Sequence, residues 1–166
     1  MSKSACFVTP SYARDFECCR LVSESRQRCA PDIPHYIIVD PHDLRQFREL
    51  AGPQTHVIDA REVLDASFHK WWGRNGWWIN IRTPPVRGWI TQQLRTLTMP
   101  RIVGHDIILN IDSDVVFIRR FTLDMLFDDN RLGLFEVDYC NPEIKGWAAI
   151  AASAAAQRTA VQAVSL

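Results

Sequence analysis

Ile107-Ile108-Leu109-Asn110-Ile111 runs without a break into Asp112-Ser113-Asp114, and Val115-Val116-Phe117-Ile118 follows at once. A continuous aliphatic run of this kind predicts a strand buried on both faces, which is how strands of a parallel sheet read. Two carboxylates one residue apart then stand where that strand delivers its C-terminal end. In an open α/β sheet, ligands bind at that edge. Hard oxygen ligands so placed suit Mg²⁺ or Mn²⁺, which takes one or two carboxylates and completes its shell with water and phosphate oxygens. Such a cation neutralises a diphosphate leaving group as a Lewis acid. Two ionised groups beside a buried strand also call for a counter-charge, which a metal supplies.

Upstream, the same pattern recurs three times. Ala5-Cys6-Phe7-Val8-Thr9 is a short apolar run that breaks at Pro10-Ser11-Tyr12. Residues 15–29 carry Phe16, Cys19 and Val22 at helical spacing among charges, and Pro31 and Pro34 end the helix they predict. His35-Tyr36-Ile37-Ile38-Val39 reads as a second strand, stopping at Asp40-Pro41. Leu44, Phe47 and Leu50 suit a short helix before the Gly52-Pro53 breaker, and Thr55-His56-Val57-Ile58-Asp59 reads as a third strand. Strands alternating with helices predict βαβ units, hence an α/β protein whose mostly parallel sheet is flanked by helices.

Residues 66–88 interrupt that rhythm. Trp71-Trp72-Gly73-Arg74-Asn75-Gly76-Trp77-Trp78 holds four of the six tryptophans, and Thr83-Pro84-Pro85 follows. This stretch predicts an irregular excursion from the sheet, its tryptophans covering a sheet edge or helix face in preference to stacking on a sugar. Trp89, Ile90, Gln93, Leu94 and Leu97 restore helical spacing until Pro100, and Gly133-Leu134-Phe135-Glu136-Val137 predicts one more strand. The alanine-rich residues 146–166 predict a weakly specified helix.

Length and composition limit the alternatives. A chain of 166 residues with 47% hydrophobic content predicts one globular domain over residues 1–166. Nineteen basic and nineteen acidic residues give zero net charge, so no positive field favours nucleic acid as a partner. No run reaches the ~18 apolar residues of a membrane span, and the brief apolar stretch near the N-terminus is too short for a signal peptide. Cys6, Cys18, Cys19, Cys29 and Cys140 contain no C-x-x-C pair. They predict reduced thiols of a cytoplasmic protein, with neither a disulfide framework nor a zinc site.

Phe7-Val8-Thr9-Pro10-Ser11-Tyr12 and Ile108-Leu109-Asn110-Ile111-Asp112-Ser113-Asp114 together resemble the nucleotide-sugar glycosyltransferases of the GT-A fold. Gly88-Trp89-Ile90-Thr91-Gln92-Gln93-Leu94 resembles a little-characterised bacterial group within that fold. The resemblance spans roughly residues 5–140 and implies a three-layer, Rossmann-like domain. It implies a nucleotide-sugar donor, a divalent cation (Mn²⁺ or Mg²⁺), and glycosyl transfer to a glycan, lipid or protein acceptor. Carried over residue by residue, Thr9 and Tyr12 would lie beside the nucleoside and Asp40 would bind base or ribose. Gln92 and Gln93 would face the donor's sugar or phosphate; Asp112 would meet the ribose or the metal, and Asp114 would ligate the metal. A lysine that the group places after the glutamine pair is replaced by Arg95-Thr96, with Arg95 a substitute phosphate contact. Enzymes of this kind are longer, so the chain is expected to be incomplete on its C-terminal side.

Two other readings stay open. A hydrophobic strand running into D-x-D also resembles a haloacid-dehalogenase-like phosphatase, with Asp112 as nucleophile and Asp114 as general acid. That chemistry wants a lysine and an acidic pair far downstream, whereas Lys145 is the sole lysine after Asp114 and Asp128-Asp129 falls early. The other reading is a donor-binding domain that transfers nothing.

Overall fold

Strand β1 (Ala5–Pro10) is buried almost throughout, because it has a parallel neighbour on each side. The computed structural model describes residues 3–64, 67–71, 77–80, 82–128 and 131–132. After β1, a 3₁₀ turn leads into α1 (Phe16–Cys29), and β2 (His35–Val39) returns to pair with β1. Helix α2 (Leu44–Phe47) and a further 3₁₀ turn precede β3 (Thr55–Asp59), which pairs with β2, and α3 (Ala60–Val63) follows directly. The hairpin strands β4 (His69–Lys70), β5 (Trp77–Asn80) and β6 (Thr83–Arg87) come next. Helices α4 (Gly88–Thr98) and α5 (Pro100–Val103) then lead to β7 (Ile107–Asn110), which pairs with the other side of β1. Gly104 closes α5 at φ 63°, a left-handed position that glycine takes without a Cβ penalty.

The chain is therefore an α/β protein with a four-stranded parallel sheet in the order β3-β2-β1-β7. Alternation along β1 divides the core between two faces. Cys6 and Val8 pack with Ile38, Ala60, Val63 and Met99 on the side of α3 and α4. Phe7 points the other way, toward Ala30, Ile33, Phe117 and Phe121. Beside it, Ile37 and Val39 meet Phe16 and Cys19 of α1 and Phe47 of α2. Burying each large apolar side chain contributes about 1.5–3 kcal/mol, and helices cover both faces of the sheet as the sequence predicts.

The chain divides into two compact units, Met1–Met125 and Leu126–Leu166. In the second, β8 (Phe127–Asp128) pairs antiparallel with β9 (Arg131–Leu132). The strand expected at residues 133–137 and the helix expected at 146–166 lie outside the described residues. None of the described helices is long and apolar enough to cross a membrane.

Two expectations need correction. Among the described residues of 66–88, β4, β5 and β6 form an antiparallel sheet in that order, where an irregular excursion is expected. Pro84 and Pro85 are tolerated because β6 is an edge strand of that sheet. Conversely, residues 115–118 have strand composition but form no strand. Only Phe117 of the four is drawn inward, its ring 5.1 Å from that of Phe7, while Val116 and Ile118 are exposed.

Beneath the sheet lies a polar network built on Arg26, which is 1% exposed. Its guanidinium donates to the Ile33 carbonyl (3.2 Å) and the Thr55 hydroxyl (3.1 Å). Fully buried His35 shares a 2.9 Å hydrogen bond between its Nε2 and the Thr9 hydroxyl. Burial, reinforced by the Arg26 charge, pushes the His35 pKa down to about 3. Between its ordinary value of 6.5 and about 3, the unfolded chain binds a proton that the folded chain refuses. Stability contributed by neutral His35 is thus complete above pH 6.5 and falls by about 1.4 kcal/mol per pH unit below it. His35→Gln, which retains a side-chain partner for Thr9, removes this titration. Urea unfolding at pH 7 and pH 5 should show a stability loss smaller in the variant by about 2 kcal/mol; equal losses would contradict a buried, neutral histidine.

Candidate functional site

All the parallel strands end at one edge, and the chain turns there are tied to one another. The Ser11 N–H donates to the Ile38 carbonyl (2.9 Å), carrying β1 past the end of its ladder with β2. The Ala13 N–H donates to the carboxylate of buried Asp43 (3.0 Å), joining the turn after β1 to the turn after β2. On the other side of β1, the Ile111 N–H donates to the Val8 carbonyl (3.0 Å), which brings Asp112 to the same edge. Asp40 and Asp112 therefore flank the end of β1 from either side.

A cleft of about 560 Å³ opens between the turn after β1 and helix α4. Tyr12, Asp40, Trp78, Trp89, Gln92 and Arg95 line it, with Gly88 and Thr91 at the helix side. Gly88, Thr91, Gln92 and Arg95 stand at i, i+3, i+4 and i+7, which places them along one face of α4. Tyr12 and Trp89 are 43% and 55% exposed, leaving ring surface available for stacking.

Asp40 and Arg95 form the floor. The Arg95 Nη2 donates to Asp40 Oδ1 at 2.8 Å, with only 6% and 13% of the two side chains exposed. The same guanidinium lies 5.1 Å from the centre of the Trp78 ring, within cation–π range. A smaller cavity of about 190 Å³ lies against Ala60, Leu64 and Phe68 and shares Asp40, Trp78 and Arg95 with the cleft.

The residues singled out in the sequence separate into three groups. Tyr12, Asp40 and Gln92 share the cleft. Asp112 and Asp114 stand exposed on the turn that follows β7, with the Asp112 carbonyl accepting from the Val115 N–H (3.4 Å). Thr9 and Gln93 belong to neither place. Thr9 is fully buried with its hydroxyl on His35, and Gln93 is exposed, turned 100° from Gln92 around the helix. Arg95, taken as a substitute phosphate contact, instead reaches Asp40.

Trp78, expected to cover a sheet edge or helix face, and Trp89, expected only as part of the helix's apolar pattern, both line the cleft; for Trp89 the i, i+3, i+6 progression to Gln92 and Arg95 is the available signal. Burial raises the Cys6 and Cys19 thiols to about 11, so neither supplies a thiolate nucleophile near neutral pH. At the end of β3, Asp59 caps α3 by accepting from the Arg61 N–H (2.9 Å). Hydrogen bonds from the Arg61 side chain hold its carboxyl below the ordinary carboxylate range.

Among the described residues, no cluster of three or more His, Cys, Asp or Glu side chains is arranged to hold a metal ion. Two exposed carboxylates on one turn nevertheless suit Mg²⁺ or Mn²⁺, which leaves its remaining positions to water and phosphate. The donor set fits the cation expected from the D-x-D.

These features define an α/β protein with a ligand-sized cleft at the carboxyl edge of a parallel sheet. Residues 5–159 match a family of unknown function, DUF6492, and the chain belongs to that family. No curated protein matches it.

The Asp40–Arg95 pair carries the first prediction about the site. Removing one member of a buried ion pair costs up to about 3–5 kcal/mol. Arg95→Met should destabilise the chain by that amount in urea, while Asp40→Asn combined with Arg95→Met should recover part of the loss. A double variant whose loss equals the sum of the two single losses would show that the pair is not coupled.

Proposed function

We propose that this chain is a GT-A-type, metal-dependent glycosyltransferase domain whose cleft binds a nucleotide-sugar donor. The supporting observation is topological. In the order β3-β2-β1-β7, the end of β1 lies between Asp40 on one neighbour and Asp112 on the other. Ligands of open α/β sheets bind outside the carboxyl ends of the strands, where the strand order reverses, and here that point falls between β1 and β7.

Each residue has a task in this reading. Tyr12 and Trp89 offer aromatic faces to the base or the sugar. Asp40, held in place by Arg95, accepts from a ribose hydroxyl or a base N–H, and Gln92 presents its amide to sugar or phosphate. Asp112 and Asp114 hold the divalent cation, Mn²⁺ or Mg²⁺, whose chemistry when bound is to neutralise the diphosphate leaving group. The acceptor is a glycan, lipid or protein. A reducing compartment, the cytoplasm, suits the free thiols of Cys6, Cys18, Cys19 and Cys29.

Metal-dependent stabilisation by ligand tests the reading. Uridine or guanosine diphosphate at 100 times its dissociation constant should stabilise the folded chain by about 2.7 kcal/mol, a rise of roughly 5–11 °C in Tm for a chain of this size. The rise should require Mn²⁺ or Mg²⁺ and vanish in Asp114→Asn. An equal rise without metal, or in that variant, would overturn the assignment of Asp114. Incubation with radiolabelled nucleotide sugars and Mn²⁺ should give weak, metal-dependent donor binding with at most slow donor hydrolysis, and no donor binding at all would overturn the donor-site reading.

A further inference from the structure

The residue between the two aspartates does not share their exposure. Ser113 is 8% exposed whereas Asp112 and Asp114 face solvent. Its hydroxyl donates to Asp15 Oδ2 at 3.1 Å, across 98 residues of sequence. Asp15 in turn is fixed, because its N–H donates to the Tyr12 carbonyl (2.9 Å) and it immediately precedes α1.

The chain beyond the D-x-D is fastened to the same helix. The Phe117 N–H donates to the Ser25 hydroxyl (3.2 Å), and the Cys29 thiol donates to the Phe117 carbonyl (3.4 Å). The Phe121 N–H then donates to the Cys29 carbonyl (2.8 Å). Helix α1 and the turn before it thus grip the segment at Ser113, Phe117 and Phe121, while β1 grips it at Ile111. Within the D-x-D itself, Ser113 faces inward while Asp112 and Asp114 face outward.

We infer that Asp15 is a positioning residue for the cation site: through the Ser113 hydroxyl it fixes the turn that presents Asp112 and Asp114. The inference rests on the reading of those two aspartates as cation ligands. Asp15 acts through Ser113 and is not itself a ligand. What it supplies is an acceptor for the Ser113 hydroxyl, which a neutral amide can replace. Outer partners of this kind set ligand orientation, and their loss weakens metal affinity by about 10–100-fold.

The test is Mn²⁺ binding to the 166-residue chain, followed by the electron paramagnetic resonance signal of the free ion, with Mn²⁺ alone as probe. Ser113→Ala and Asp15→Ala should each weaken Mn²⁺ binding about 10-fold or more. Asp15→Asn, which keeps an acceptor for the Ser113 hydroxyl, should bind near the wild-type level. The double variant Asp15→Ala/Ser113→Ala should bind no more weakly than either single variant, since both remove the same hydrogen bond. Should Asp15→Ala fail to fold, Ser113→Ala and Asp15→Asn carry the comparison between them. Wild-type affinity in Ser113→Ala would overturn the positioning role and leave the cation reading standing. Loss of binding in Asp15→Asn as deep as in Asp114→Asn would make Asp15 a ligand and overturn the inference. Failure of the wild-type chain to bind Mn²⁺ would overturn both.

Discussion

Parallel pairing on both sides of β1 governs where everything else in the site can stand. Parallel neighbours run in the same direction, so their carboxyl ends meet at one edge. Strands begun at residues 5, 35 and 107 consequently deliver Tyr12, Asp40 and Asp112 to one side of the sheet, though they are far apart in the chain. Helices α1 and α4 return the chain across opposite faces, and each adds a working surface at that edge. The first grips the aspartate-bearing turn, and the second lines the cleft.

Electrostatics at this edge is uneven in a way that matters for ligand binding. Asp40, Asp59 and Asp112 each stand at or just beyond a strand end, yet two of them already have arginine partners within hydrogen-bonding distance. Asp112 and Asp114 are the exposed pair. A cation bound on that turn would lie across the end of β1 from the Asp40–Arg95 pair. A diphosphate-bearing ligand could then run from the aromatic walls of the cleft toward the turn. Burial keeps the Cys6 and Cys19 thiols protonated and His35 neutral near neutral pH.

Continuous apolar runs located the strands, although β3 and β7 are sheet edges: the run at Ile107–Asn110, expected to be buried on both faces, is only half-buried because β7 has a neighbour on one side alone. Residues 35–39 and 55–59 form β2 and β3 as the composition predicts. The same composition at residues 115–118 misleads, since no neighbouring strand is offered to that segment, and pairing partners are invisible to a local window. The antiparallel sheet around Trp77 was hidden in part by Pro84 and Pro85, a pair that usually marks a loop; an edge strand tolerates them. That Asp40 and Asp112 follow strands was legible; that Tyr12 and Asp40 line one cleft while Asp112 and Asp114 stand on a separate turn was not. Which of Gln92 and Gln93 lines the cleft depends on the 100° step of the helix. The Ser113–Asp15 contact, spanning 98 residues, had no sequence signature at all.

A donor site of this kind requires a cation and a nucleoside diphosphate to meet the protein at the carboxyl edge of the sheet. Mn²⁺ broadens the amide resonances of residues close to it, so a titration of the ¹⁵N-labelled chain with Mn²⁺ and uridine or guanosine diphosphate maps that place directly. The account predicts broadening first at Asp112, Ser113, Asp114 and Val115, and then at Ser11, Tyr12 and Ala13. The opposite edge of the sheet, at His35 and Thr55, should stay sharp. Broadening centred on that opposite edge, or no localised broadening at all, would contradict it.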